Sequence, residues 1–270
     1  MASLVGSVIQ GPNGEDWRVP VSELESRIET LSIALQEHSL PGAFVQHPVD
    51  LYYFTGGRQN ATLFVPARGT KASVEGGGNG PVLFVRRSIS RAIYEAGEDN
   101  SPFEIQPFPR MKNLVEILQN RGVSESPALQ FGEIPASFIN RFRDVLSILG
   151  DCGDVTDIIH RIREIKSAWE IKQMEQSAII QARMFDAVEQ NLSEGISELE
   201  LVAAAEEVSR RAGFGGNIQM RRYPLQCDRG VIVSGRAGGI PSFFDSAIGG
   251  SGPHPLAGMG SGFNKIKKKS

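Results

Sequence analysis

The side chains able to do chemistry are unevenly spread along this sequence. A hydrolytic centre needs either a nucleophile beside a base, or several carboxylates and imidazoles converging on a divalent cation. For the second, the glycine-rich stretch after Ser234 offers only Asp245 and His254, and no glutamate. His254 lies in Gly-Pro-His-Pro, where a loop imidazole reads as solvated rather than ligating. Cys227 stands beside Asp228 but has no histidine near it in sequence, so it does not read as a nucleophile. Arg221 and Arg222 carry the fork that suits a substrate carboxylate, though two arginines on a surface strand are more simply solvated. His38 and His47 flank turns, and His160 precedes Arg161 on a helix-like linker as an exposed or capping residue, so all three read as structural. The final KIKKKS reads as a bare basic end rather than a nucleic-acid patch.

The elements that position these groups belong to an ordinary globular chain. It has 270 residues, 40% hydrophobic and 22% charged, with a formal net charge of -3. Such a chain can bury a sizeable core without disulfides or structural metal. Its charge gives no global attraction to nucleic acid or to an anionic membrane. The two cysteines, Cys152 and Cys227, lie far apart, which argues against a disulfide framework or thiolate zinc site and for a reducing, cytoplasmic setting. The opening MASLVGSVIQGPNGEDW lacks the basic-then-apolar order of a signal peptide. No apolar run reaches the ~20 residues of a membrane helix.

Ser22 and Glu25 are spaced as a capping box, and Leu24, Ile28, Leu31 and Leu35 follow on one helical face until Leu40-Pro41-Gly42. Apolar runs at Ala43–Val45, Ala61–Val65, Val82–Val85 and Ala128–Phe131 predict strands. They alternate with helical stretches at Ile89–Ala96, Asn113–Gln119 and Ala136–Leu149, which predicts an α/β domain with a largely buried sheet. The Gly-Gly-Gly-Asn-Gly run at 76–80 reads as a hairpin tip, not a phosphate loop, because no helix follows it. Turn formers cluster in LGDCGDVTD and set a boundary near 150–157. Two long helices follow, opening on capping boxes Ser167 with Glu170 and Ser197 with Glu200. The first carries Ile171, Met174, Ala178, Ala182, Phe185 and Val188 on one face, and Gly213 sits where a left-handed C-cap belongs after the second. Both need a partner surface, most simply a sheet. Arg221–Pro224 and Gly230–Val233 read as short strands before a long Gly, Pro and Ser-rich segment.

Three stretches, in order, resemble the creatinase/prolidase/Xaa-Pro aminopeptidase family. DLYYFTGGRQNATLFVP (50–66) with PVLFVRRS (81–88) is similar to its N-terminal domain, where such a turn precedes two paired strands. IREIKSAWEIKQMEQSAIIQARMF (162–185) is similar to the linker and first helix of its catalytic domain, and VSGRAGGIPSFF (233–244) to its turn beside the active site. The likeness runs from about Val19 to Gly262. It implies an α/β fold: a creatinase-type N-terminal α/β domain followed by an incomplete α+β pita-bread domain. The expected division is an extension over 1–18, the N-terminal domain over 19–153 and a truncated peptidase domain over 154–270.

The family hydrolyses the bond before a proline with two divalent metals, Mn, Co or Zn, held by two aspartates, a histidine and two glutamates. The resemblance places the first of those aspartates on a strand beyond KIKKKS, and Asp245 and His254 cannot replace a dinuclear set. The chain alone is therefore expected to hold no metal and to be inactive, while a full-length relative would take a proline-containing peptide. At the active-site turn Ser242 occupies the position of the family's histidine, with Phe243 and Phe244 beside it as substrate contacts. Serine can donate to a developing oxyanion but cannot exchange protons at neutral pH as imidazole does. Tyr53, Arg58 and Asn60 lie on the turn that, in related homodimers, faces the neighbour's active site. A non-catalytic binding or dimerisation module, or a creatinase-like C–N hydrolase when full length, stays open beside the peptidase reading.

Overall fold

The computed structural model describes residues 11, 13–216, 231–242 and 249–268. The chain divides into two compact units, the first ending at Lys166 and the second beginning at Ser167.

In the first unit, a four-stranded sheet runs β1 (Gly42–Val45), β2 (Ala61–Pro66), β3 (Val82–Val85) and β4 (Glu104–Pro107), in spatial order β1-β2-β3-β4. The first two pairings are antiparallel and the last is parallel, with Phe44 opposite Phe64 and Leu83 opposite both Leu63 and Ile105. Alternation along each strand sends side chains to two separate cores. Ala43, Val45, Leu63, Val65, Leu83 and Val85 meet Ile28, Leu31 and Leu35 of α1 (Val21–Glu37), Leu51 and Phe54 of α2 (Pro48–Thr55), Ala92 of α3 (Ile89–Glu95) and Ile158 and Ile159 of α6 (Thr156–Glu164). Phe44, Phe64, Val82 and Phe84 meet Leu114 and Leu118 of α4 (Leu114–Asn120) and Ile139, Phe142 and Leu146 of α5 (Ala136–Leu146). The result is an α/β sandwich with helices on both faces, which is why three of its four strands read as mainly apolar runs. The connection between antiparallel β2 and β3 contains the 76–80 glycine run, as expected of a hairpin tip.

Three local expectations are corrected, and one strand was not anticipated. No capping box forms at Ser22: the helix begins at Val21 with Pro20 as its N-cap, and the Pro20 carbonyl accepts from the amides of Glu23 and Leu24. Ser22 thus falls inside the first turn, past the position from which its hydroxyl could cap. Ala128–Phe131 is not a full strand. It pairs parallel to β1 only around Ala128, through Phe44 N–H to Ala128 O at 2.9 Å and Ala128 N–H to Gly42 O at 2.8 Å, before Gln130 turns its amide onto side-chain work. The DLYYFT segment is helix α2 rather than turn, because Pro48 starts it at the first helical position and Gly56, at φ 72°, ends it left-handed. Strand β4 was not legible, since Glu104-Ile105-Gln106-Pro107 is a partly exposed edge with no apolar run.

In the second unit, α7 (Ala168–Asn191) and α8 (Glu198–Arg211) pack on each other. Both open on the expected capping boxes, and Gly213 has φ 101°. Helix α8 buries Leu201 and Ala205. Helix α7 buries no residue: Ile171, Met174, Ala178, Ala182 and Phe185 of its predicted apolar stripe are exposed. The described part of the predicted Gly230–Val233 strand, residues 231–233, lies outside any strand, because the amide of Ile232 is taken by the Ser261 hydroxyl at 2.8 Å. Arg221–Pro224 lies outside the described residues.

Candidate functional site

Strands β1, β3 and β4 and the Ala128 segment all run the same way, so their carboxyl ends share one edge of the first unit's sheet. In α/β sheets this edge is where ligands are bound. Polar side chains gather there. His47 is the N-cap of α2 and Pro48, lacking an N–H, follows it, which sets Asp50 in the first helical turn. Asp50 is fully buried. Its Oδ2 accepts from Gln130 Nε2 at 2.7 Å, and its Oδ1 from the Arg163 guanidinium on α6. The Gln130 Oε1 accepts from the backbone amides of Gln46 at 2.7 Å and His47 at 2.9 Å. One glutamine therefore ties the exit of β1 to the carboxylate.

His47 extends this group. Its Nδ1 lies 3.3 Å from Asp50 Oδ2, but too poorly aligned to count as hydrogen-bonded, so the attraction is electrostatic. Its Nε2 is 3.9 Å from Glu133, whose other oxygen is 2.7 Å from His160 Nε2. Burial pushes the Asp50 carboxyl up, but contact with His47, the Arg163 charge and the Gln130 amide outweigh it and hold the pKa below the ordinary value. The group is an ionised carboxylate with each oxygen accepting one charged or amide hydrogen bond, and it ties α2 and α6 to the sheet edge.

The predicted site residues distribute as follows. Tyr53 is buried on α2, with Arg27 over its ring at 4.0 Å and Arg163 at 5.6 Å, so it joins the Asp50 group through Arg163. Arg58 and Asn60 are exposed on the link from Gly56 into β2, where the Asn60 carbonyl accepts from Arg86 N–H at 2.8 Å. Ser242 belongs to the second unit, half-buried after the 3-10 turn Gly235–Gly239. Phe243, Phe244, Asp245, Arg221, Arg222 and Cys227 lie outside the described residues. His254 is exposed and bridges only to Ala257.

At the start of the Ser242 turn stands Glu198, 1% exposed at the first position of α8. Its carboxylate accepts from Ser234 N–H at 2.7 Å, Gly262 N–H at 3.0 Å and Asn264 Nδ2 at 2.8 Å. Burial raises its pKa, and Asn264 with the two backbone amides lowers it further than burial lifts it.

Residues 27–165 match the Creatinase/Prolidase N-terminal domain. The chain belongs to the creatinase/prolidase family. It is 23% identical over 190 residues to the Xaa-Pro dipeptidase of Pyrococcus furiosus, covering 70% of this chain and 49% of that one. It spans about half the length of the curated relatives it matches. Its fold aligns with the prolidase from Pyrococcus furiosus at a TM-score of 0.61 and 20% identity, over 89% of this chain and 62% of that one. It aligns with aminopeptidase PepP of Pseudomonas aeruginosa at 0.58 and 19% identity, over 73% of this chain and 50% of that one. Likeness at such identities shows the fold.

For this creatinase/prolidase-family chain, sequence reading missed the Asp50 group and Glu198. His-Pro-x-Asp was a usable signal, because it spells an N-cap, a proline at the first helical position and an acid in the first turn. His160 is corrected from a capping or exposed residue to a half-buried partner of Glu133, because α6 packs its other residues on the sheet. Gln130, Glu133 and Arg163 carry no local signal, as their partners are 27 or more residues away. No helix among the described residues is long and apolar enough to cross a membrane.

Proposed function

We propose that this chain supplies the amino-terminal domain and one wall of the substrate cleft of a cytoplasmic, homodimeric Xaa-Pro peptidase acting on proline-containing peptides. The observation that carries the reading is the Creatinase/Prolidase N-terminal match over 27–165, joined to a fold alignment with a prolidase over 89% of the chain. In this reading Tyr53, Arg58 and Asn60 present one face of the N-terminal domain to substrate. Ser242, with Phe243 and Phe244, lines the cleft, and its hydroxyl donates to the oxygen that gains charge as the peptide bond is attacked.

The metal pair used by such peptidases would polarise the scissile carbonyl and activate water. The described residues do not fit it. Glu198 commits its carboxylate to backbone and amide donors, His254 is exposed, and among the described residues no group of three or more His, Cys, Asp or Glu is placed to hold a metal ion.

Calorimetric titration with Mn, Co and Zn, followed by incubation with Xaa-Pro dipeptides, tests the reading. The chain alone is expected to bind no tight metal pair and to release no proline. An extended protein, made by joining this chain to the second half of a full-length family member, is expected to do both. Tight binding of two metals by the chain alone, or metal-dependent cleavage by it, overturns the claim. An extended protein that dimerises stably but cleaves no Xaa-Pro bond favours a binding module instead, and one that cleaves creatine favours the C–N hydrolase.

A further inference from the structure

Helix α7 carries two apolar faces. Ile180, Met184, Ala187 and Val188 are half-buried and form the face on which α8 packs. Roughly a third of a turn round the helix, Ile171, Met174, Ala178, Ala182 and Phe185 form a second stripe, and all five are exposed. The steps along it are three, four, four and three residues, so it reads the same from either end, with Ala178 at its centre. Apolar residues at such steps make the seam along which two helices pack.

An antiparallel pair of copies, related by a two-fold axis at Ala178, matches this stripe in volume. The symmetry sets Ala178 against itself, Met174 level with Ala182 of the second copy and Ile171 level with Phe185 of the second copy. The small residues then stand where two crossing helices come nearest, and the bulkiest where they diverge. The same axis matches charge. Lys172, Glu175, Arg183 and Asp186 lie along one flank of the stripe, and all are exposed. Lys172 comes within about 3 Å along the helix axis of Asp186 of the second copy, and Glu175 within the same distance of Arg183 of the second copy. Each end of the pair therefore gathers two cations and two carboxylates. A parallel pair has neither match. It sets Phe185 level with Phe185 and Ala182 level with Ala182, and turns the charged flank toward Ser177 and Gln181.

We propose that the exposed stripe of α7 is the interface of an antiparallel, two-fold pair of copies of this chain, centred on Ala178 and flanked by Lys172, Glu175, Arg183 and Asp186. One helix from each copy makes a small interface, below the roughly 1,200 Å² at which stable complexes begin, so the pair forms at micromolar concentration. The inference does not rest on the peptidase reading, and its test measures no hydrolysis.

Sedimentation equilibrium of the full chain tests it. A single step from one copy to two is expected over roughly 1–100 μM. Lys172→Asp and Asp186→Lys are each expected to weaken the pair about three- to tenfold, because each acts at both ends and sets like charges together. Combining them restores the opposition and should return affinity to within about twofold of wild type. With Cys152 and Cys227 replaced by Ser, Ala178→Cys should oxidise to a disulfide-linked pair. Ile171→Cys should not, because antiparallel pairing holds its two copies about 21 Å apart. A chain still monomeric at about 100 μM, cross-linking through Ile171→Cys instead, assembly that runs past two copies, or a double variant no tighter than the single ones overturns the proposal. A monomeric chain that instead binds the separately made second half of a full-length family member, and loses it on Met174→Gln, assigns the face to that half and also overturns it.

Discussion

Replacing Asp50 by Asn removes a charge from the most enclosed polar position in the first unit. The Asp50 side chain is 0% exposed, whereas its partner Arg163 is 24% exposed. Breaking a buried ion pair by removing one member costs about 3–5 kcal/mol. Arg163 can be rehydrated through its exposed part, which lowers the expected loss to about 2–4 kcal/mol. Asn also turns an N–H toward one of two donors, Gln130 Nε2 or Arg163, so shape alone does not rescue it. Native-state hydrogen exchange on the amides of β1–β3 reads the stability of this unit without interference from the second. A double-mutant cycle with Arg163→Met is expected to show coupling of about 1 kcal/mol or more. The sign with pH follows from the lowered pKa of Asp50. A carboxyl whose folded pKa lies below its unfolded value stabilises fully above the unfolded value, about 4, and loses that contribution as pH falls through the folded one. The deficit of Asp50→Asn should therefore be full at pH 7 and shrink as pH drops below about 4. A variant within about 0.5 kcal/mol of wild type at pH 7, or coupling near zero, would refute the reasoning.

Three further outcomes are expected. Glu198→Gln removes the shared acceptor of Ser234, Gly262 and Asn264, so the Ser234 and Gly262 amides should exchange about tenfold faster or more, while β1 is unchanged; equal rates would show that Glu198 does not anchor the turn. Gly56→Ala places a Cβ 2.9 Å from the Glu95 carbonyl at a φ of 72°, so the first unit should lose about 1–2 kcal/mol in the same exchange experiment, and no loss would mean that the αL cap of α2 is relaxed at little cost. Met174→Gln with Phe185→Gln removes apolar surface from a face that is 59% and 68% exposed at those residues. Light scattering should then show less self-association at equal concentration, and no change would exclude this face as its cause.

Sequence reading recovered the parts of the fold that are written locally. Three of the four strands carry mainly apolar runs because they are buried on both faces, and Ser167/Glu170 and Ser197/Glu200 cap their helices with residues only three positions apart. Strand β4 escaped because its place in the sheet comes from pairing with β3, not from its own side chains. The site was less legible for the same reason. Gln130 reaches Asp50 across 80 positions and Arg163 reaches it across 113, and neither spacing leaves a periodic trace. The family likeness supplied Tyr53, whose burial between Arg27 and Arg163 no pattern in the helix itself announces.

The two units also differ in how far their apolar pattern is answered. In α1 the stripe Leu24, Leu31, Leu35 is wholly buried, because the sheet that needs it lies in the same unit. In α7 the capping box forms equally well, yet the stripe at Ile171, Met174 and Phe185 remains exposed. Caps are satisfied by residues within one turn, whereas an apolar face is satisfied only by a second surface of matching extent. The start of α7 is thus fixed by its own sequence, and its outer face calls for apolar surface beyond what the described residues provide. Assignment to the family rests on the first unit, where every element finds its partner.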